Sequence, residues 1–205
     1  MHRRFQLFIV LAGMVVSLCV VAQTPETAPM EETAPAAEAA AGEQAATEES
    51  PATDSTMVEP PFSADQIRAE WVRGLSIDVE RKTPAGVGRE RWTVRSATAD
   101  GCEIEYATLD ANGNLTGRPR VEKNTWVELQ DHAAFPADST QSSEIVRGTP
   151  LGILDGWLFT VSDEGEGTVT EYFFARAYPG APVHMITLRG GSAVLELTQL
   201  ERRQP

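Results

Sequence analysis

Outside the N-terminal leader described below, the residues best suited to acid–base, nucleophilic or metal chemistry are His132, His184 and Cys102. A zinc site takes three or four ligands, mostly His and Cys, at recognisable spacings. The sequence contains no HExxH, CxxC or paired-His motif, no G-x-S-x-G elbow and no P-loop. Gly86-Val87-Gly88 is too short for a dinucleotide fingerprint and lies between strand-like runs, not ahead of a helix. Asp131-His132 is the best acid–base neighbour pair. On a helix, however, adjacent side chains point about 100° apart and cannot face one substrate together, so His132 is expected to serve the helix C-terminus.

Two acidic turns invite a calcium reading. Asp110-Ala111-Asn112-Gly113-Asn114 begins like a calcium loop, but its Gly stands at position four and Val121 at position twelve. The EF-hand needs Gly at six and an acid at twelve, so a hairpin turn is expected. Asp163, Glu164 and Glu166 read as a solvated hairpin tip. Cys102 lies on the alternating run Cys102-Glu103-Ile104-Glu105-Tyr106 and reads as a small buried hydrophobe. His184 follows a Pro-Gly corner, EYFFARAYPGAPVHM (residues 171–185), where a lone His is expected to be structural. The sequence thus nominates no catalytic residue, no cofactor-binding residue and no metal ligand, and the expectation is a protein that is not an enzyme.

These residues are positioned by a chain rich in strand signals. Ser63-Ala64-Asp65-Gln66 is a capping box opening a short helix to about Trp71 or Arg73, and Thr125-Trp126-Val127-Glu128 opens a second, WVELQDHAA. Leu75, Ile77 and Val79 alternate with polar residues, as in a half-buried strand, and Thr83 to Gly88 breaks the run. Arg91 to Ser96 and Cys102 to Tyr106 flank an Asp-Gly turn and suggest a hairpin. Further runs cover about Glu144–Arg147, Leu151–Ser162, Thr168–Ala177, Val183–Arg189 and Ala193–Leu200. Their short links favour antiparallel neighbours, since parallel pairs need long crossovers. Pro179-Gly180 suits a type II turn between two of them. The expected fold is mainly β (α+β): a curved antiparallel sheet of about seven to nine strands, with two short helices packed on one face.

Two late strands are apolar on both faces. Ile153, Trp157, Phe159 and Val161 oppose Leu154 and Leu158; Val169, Phe173 and Ala175 oppose Tyr172 and Phe174. Such strands must be covered on both sides. The cover is either the two Trp-bearing helices or an apolar ligand. Trp126, Trp157, Leu158, Tyr172 and Phe174 are therefore the candidates for lining an apolar-ligand site or the core.

Thr149-Pro150-Leu151-Gly152, Trp157-Leu158-Phe159, Phe173-Phe174-Ala175 and Pro179-Gly180-Ala181-Pro182-Val183 resemble features of uncharacterised exported bacterial proteins. Through them they resemble the half-barrel periplasmic carriers of lipoproteins and lipids. The resemblance covers roughly residues 145–200. It implies a curved antiparallel sheet with helices in its concave side, and it transfers no catalytic or ligand-binding residue.

The ends of the chain speak to its location. MHRRFQLFIVLAGMVVSLCVVAQ has the basic start, apolar stretch and small residues of a signal peptide, with cleavage expected after Ala22. A retained membrane anchor, or lipidation at Cys19, are the alternatives. Residues 23–61 contain nine acidic residues, no basic one and no aromatic, a composition expected to form a disordered linker. Residues 62–205, of a size for one domain, carry 21 acidic and 15 basic residues, a net charge of −6. That balance argues against nucleic-acid binding, which needs a basic patch. The function expected is a non-catalytic, exported envelope protein, periplasmic or extracellular, that binds an apolar ligand or an envelope partner. The alternative is a structural or interaction module without a small ligand.

Overall fold

The computed structural model describes residues 56–205. The expected signal peptide and residues 23–55 of the expected linker lie outside the described residues. Both capping boxes form. Ser63 accepts from the Gln66 amide and Gln66 Oε1 from the Ser63 amide, starting α1 (Ala64–Glu70); Thr125 and Glu128 do the same for α2 (Trp126–Asp131). Nine strands accompany them: β1 (Ser76–Thr83), β2 (Gly86–Ala97), β3 (Gly101–Leu109), β4 (Leu115–Thr125), β5 (Thr140–Thr149), β6 (Gly152–Asp163), β7 (Thr168–Ala175), β8 (His184–Arg189) and β9 (Ser192–Arg203).

All nine belong to one antiparallel sheet in the order β4-β3-β2-β1-β9-β8-β7-β6-β5, open at both edges. It is two meanders, β1 to β4 and β5 to β9, joined where the first and last strands pair. That topology has one large consequence. β4 and β5 are consecutive in sequence yet lie at opposite edges, so the segment between them must cross the sheet. This segment is α2 and the residues up to a 3-10 turn (Ala137–Ser139). It crosses the inner face, where α2 packs against α1 and Phe135 packs on β6 and β7.

The central strands show how alternation fixes the two faces. Ile77 and Val79 of β1 are buried inward. Asp78 between them turns outward, where Arg91 of β2 grips it through two bonds of 2.6 and 2.8 Å and Arg203 of β9 adds a third at 2.9 Å. The Arg91 guanidinium holds the Asp78 carboxyl below the usual carboxylate range. On the inner side, Arg202 of β9 is almost fully covered and pairs with Glu70 at the end of α1, at 2.9 Å. This pair ties the first helix to the last strand.

Several boundaries differ from the sequence reading. The expected break at Thr83–Gly88 is a tight two-residue turn, with Thr83 already paired to Gly86. α1 stops at Glu70, because the Val72 amide turns back to the Glu70 carbonyl. β7 stops at Ala175, where the Tyr178 amide donates to the Ala175 carbonyl. The reversal thus begins ahead of Pro179-Gly180, which follows as a bend. No run was read as a strand over β4, although the hairpin turn expected at Asp110–Asn114 does form and joins β3 to it. Ordered backbone pairing also reaches into the stretch read as linker: Thr56, Met57 and Val58 run antiparallel to Phe135–Ala137, with bonds of 2.7 and 2.9 Å.

Candidate functional site

The inner hollow is where the sequence placed a ligand or the core. Trp157 and Phe159 of β6 and Tyr172 and Phe174 of β7 point into it. Phe135 stacks on Tyr172 with centroids 4.7 Å apart and lies 5.6 Å from Phe159. Phe62, just ahead of α1, meets Trp157 and Phe174 edge-on at 5.6 and 6.4 Å. Ile67 of α1 and Trp71 at its end are also buried, Trp71 with its Nε1 donating to the Pro179 carbonyl at 2.8 Å. Burial pushes the Tyr172 hydroxyl up to about 12, so it stays neutral.

The five nominated residues do not converge on one spot. Trp157, Tyr172 and Phe174 share the hollow of the late strands. Trp126 is buried at the start of α2, far along the sheet, where its Nε1 donates to the Thr98 carbonyl at 3.1 Å. Leu158 faces the other way. It packs on the outer side against Phe173, Ala175 and Val183, a cluster completed by Ile145, Leu151, Leu154 and Tyr178. Trp157 is half-buried, and Arg176 lies 4.0 Å over its ring while pairing with Glu144 and Asp155 at 2.7 and 3.2 Å. Ile153 shares the parity of Trp157 but is 83% exposed, because it sits beside the β5–β6 turn, beyond the helices.

Phe62 and Phe135, which fill the hollow, were missed. Each adjoins proline, in Pro60-Pro61-Phe62 and Phe135-Pro136, so each reads locally as a loop residue. For Phe135 the deciding fact is that its segment crosses the sheet between opposite edges, which only the strand order reveals.

The chemistry-bearing residues stay apart. His132 caps the end of α2 and is exposed. His184 lies on β8, its Nε2 3.4 Å from Glu196 and its Nδ1 buried without a hydrogen-bond partner. Cys102 is buried, and desolvation raises its thiol to about 11, which makes it a poor nucleophile. Asp110 accepts from the Asn112 and Asn114 amides, and Asp163 from the Glu166 amide, so both acidic turns are self-bonded. Among the described residues, no group of three His, Cys, Asp or Glu side chains could hold a metal ion, and no helix is long and apolar enough to cross a membrane.

No protein-family model matches the sequence, and neither does any curated protein. Among solved structures the chain is similar to MucB. A crystal structure of MucB aligns with a TM-score of 0.49 and 12% identity, over 67% of this chain and 55% of that one. MucB in complex with MucA(peri) gives 0.47 and 12%, over 66% and 52%. The Pseudomonas aeruginosa MucA/MucB complex gives 0.47 and 12%, over 67% and 53%. The chain spans about half the length of each of these structures.

His184, opposite Phe173 on the outer side of the late strands, carries a pH signature. Burial, reinforced by nearby Arg147 and opposed by Glu196, lowers its pKa below the ordinary 6.5. The unfolded chain therefore takes up a proton near pH 6.5 that the folded chain refuses until lower pH. Stability should fall as pH drops through that window, and this residue should contribute nothing above it. His184→Gln is expected to flatten the stability curve between about pH 5 and 7. Denaturant unfolding at stepped pH checks this, and an unchanged slope would assign the effect elsewhere.

Proposed function

We propose that this chain is a non-catalytic module of the cell envelope that acts by binding another protein with its surface, and not by carrying an apolar ligand in its hollow. The observation that carries this reading is the occupied hollow. Phe62 and Phe135, from the segments flanking the two helices, pack against Trp157, Phe159, Tyr172 and Phe174 there, and Ile67, Trp71 and Trp126 of the helical segments are buried as well. A ligand site is normally a concavity that can take up most of its ligand's surface, and here the chain's own aromatic rings occupy that place. On this reading Trp126, Trp157, Tyr172 and Phe174 are core residues, and Leu158 belongs to the second core on the outer side. The leader-like N-terminus and the acidic tail that follows it support a location outside the cytoplasm.

Native mass spectrometry of the chain extracted from cell envelopes tests the proposal. The expected result is a protein free of small-molecule adducts, recovered in part with a protein partner. A stoichiometric lipid or other apolar adduct, lost on denaturation, would overturn it and return the hollow to a carrier role.

A further inference from the structure

We infer that the free edge of β5 is an interface for a second copy of this chain, pairing strand to strand across a two-fold axis centred on Ile145. The two edges of the sheet are built differently. β4 is interrupted: its register with β3 shifts between Tyr106 and Thr108, Gly117 takes a φ of +72°, and Pro119 removes a donor. Arg118, Arg120 and Lys123 add charge to it. These are the features that keep an edge from pairing. β5 lacks the register shift, the positive-φ Gly and the Pro, and it carries one acid and one base, Glu144 and Arg147, in place of a run of like charges. It pairs with β6 through ten consecutive residues, Thr140↔Val161 to Thr149↔Gly152, with no register shift. It contains no Pro and no Lys.

The backbone groups that β5 offers can be assigned. The Arg176 amide donates to the Asp155 carbonyl, so Asp155 aims its polar groups at the β7 side. Val146 is the cross-strand partner of Asp155. In an antiparallel ladder such a pair is not hydrogen-bonded to each other, so Val146 aims its own N–H and C=O off the free edge. With a period of two, Ser142, Glu144 and Gly148 do the same.

Self-pairing is then constrained. Full overlap of a strand running from Thr140 to Thr149 puts the two-fold axis at Glu144 or Ile145. An axis at Glu144 sets that carboxylate directly against its own copy, and like charges in that position are unfavourable. An axis at Ile145 pairs Ile145 with Ile145, Glu144 with Val146, Ser143 with Arg147 and Ser142 with Gly148. No like charges then stand opposite, and the four outward-facing residues of each copy meet those of the other. Glu144, now diagonal to its copy, already has Arg176 as a counter-ion at 2.7 Å. Val146, 71% exposed, gains cover. The edge therefore complements itself in length, hydrogen-bond pattern and charge. This interface is independent of the protein partner proposed above.

Sedimentation of the purified full chain over a concentration series reads the association. The expected result is a monomer–dimer equilibrium that Val146→Pro weakens at least about tenfold in Kd, because proline there removes an outward donor and leaves the β5–β6 ladder intact. Val146→Lys is expected to act in the same direction and serves if the proline variant misfolds. In a Cys19→Ser background, Ile145→Cys should form a covalent dimer on mild oxidation and Val121→Cys on β4 should not, with buried Cys102 silent. A chain that stays monomeric throughout, a dimer indifferent to both Val146 substitutions, or crosslinking through Val121 in place of Ile145 would each overturn the inference.

Discussion

Alanine at Trp126 is expected to lower the unfolding free energy by about 3–5 kcal/mol, as truncation of large buried aromatics does. Trp126 is 5% exposed and opens α2. Its indole N–H holds the Thr98 carbonyl at 3.1 Å, and its amide reaches the Asp100 carbonyl at 3.4 Å. The side chain therefore pins α2 to the β2–β3 turn as the chain begins its passage across the sheet. Its removal opens a cavity, orphans a carbonyl and loosens the segment that delivers Phe135 to the far strands. A loss of that size is a large share of a domain's usual stability of about 5–15 kcal/mol. Denaturant unfolding measures it, with an apolar fluorescent dye titrated against the folded protein in parallel. Under the reading of a self-filled hollow, wild type binds little dye and the variant is mainly destabilised. A cost below about 1 kcal/mol, combined with wild-type dye binding that the variant loses, would make Trp126 a ligand contact.

Why the sequence announced some of this and not the rest follows from the range of the interactions. Both helices begin where their capping boxes stand, because a cap is satisfied within four residues. β1, β3, β6 and β7 were legible because each carries a row of apolar residues on at least one face, which writes alternation into the sequence. β4 was not. As an exposed edge strand its residues, LTGRPRVEKNT, have no apolar row to keep. The two-faced character of β6 and β7 correctly demanded cover on both sides, but not its source. Phe135 covers the inner side only because β4 and β5 sit at opposite edges, a property of the whole sheet, and Phe62 reaches it from the segment ahead of α1, far from β6 and β7 in sequence. Val183 and Tyr178 cover the outer side only because the chain turns back at Ala175. Parity did separate Leu158 from Trp157. What parity could not report was that Trp126 and Trp157 sit in different parts of the same face.

The corner at residues 175–183 is expected to be coupled energetically to α1, and the coupling can be measured. Gly180 has a φ of +115°, and a Cβ placed there would come within 2.3 Å of Trp71 Nε1. The same indole nitrogen donates to the Pro179 carbonyl at 2.8 Å, and Trp71 is 3% exposed. The turn and the ring thus occupy one another's only room. Gly180→Ala should cost about 2–5 kcal/mol, since a residue with a Cβ is strained at that φ and overpacking adds to it. Trp71→Ala should cost about 3–5 kcal/mol by cavity formation. The double variant should cost less than the sum by about 1–2 kcal/mol, because the three atoms nearest the added methyl all belong to the indole, and its removal relieves that clash and leaves the backbone strain. Equilibrium unfolding of the four proteins closes the cycle. Strict additivity would mean that Gly180 is needed for its backbone conformation alone. Positive coupling would identify the ring of Trp71 as the wedge that sets the path of the corner. It would also explain physically why a Pro-Gly-Ala-Pro segment after an aromatic strand forms a fixed seam between α1 and the late strands rather than a loop presenting His184.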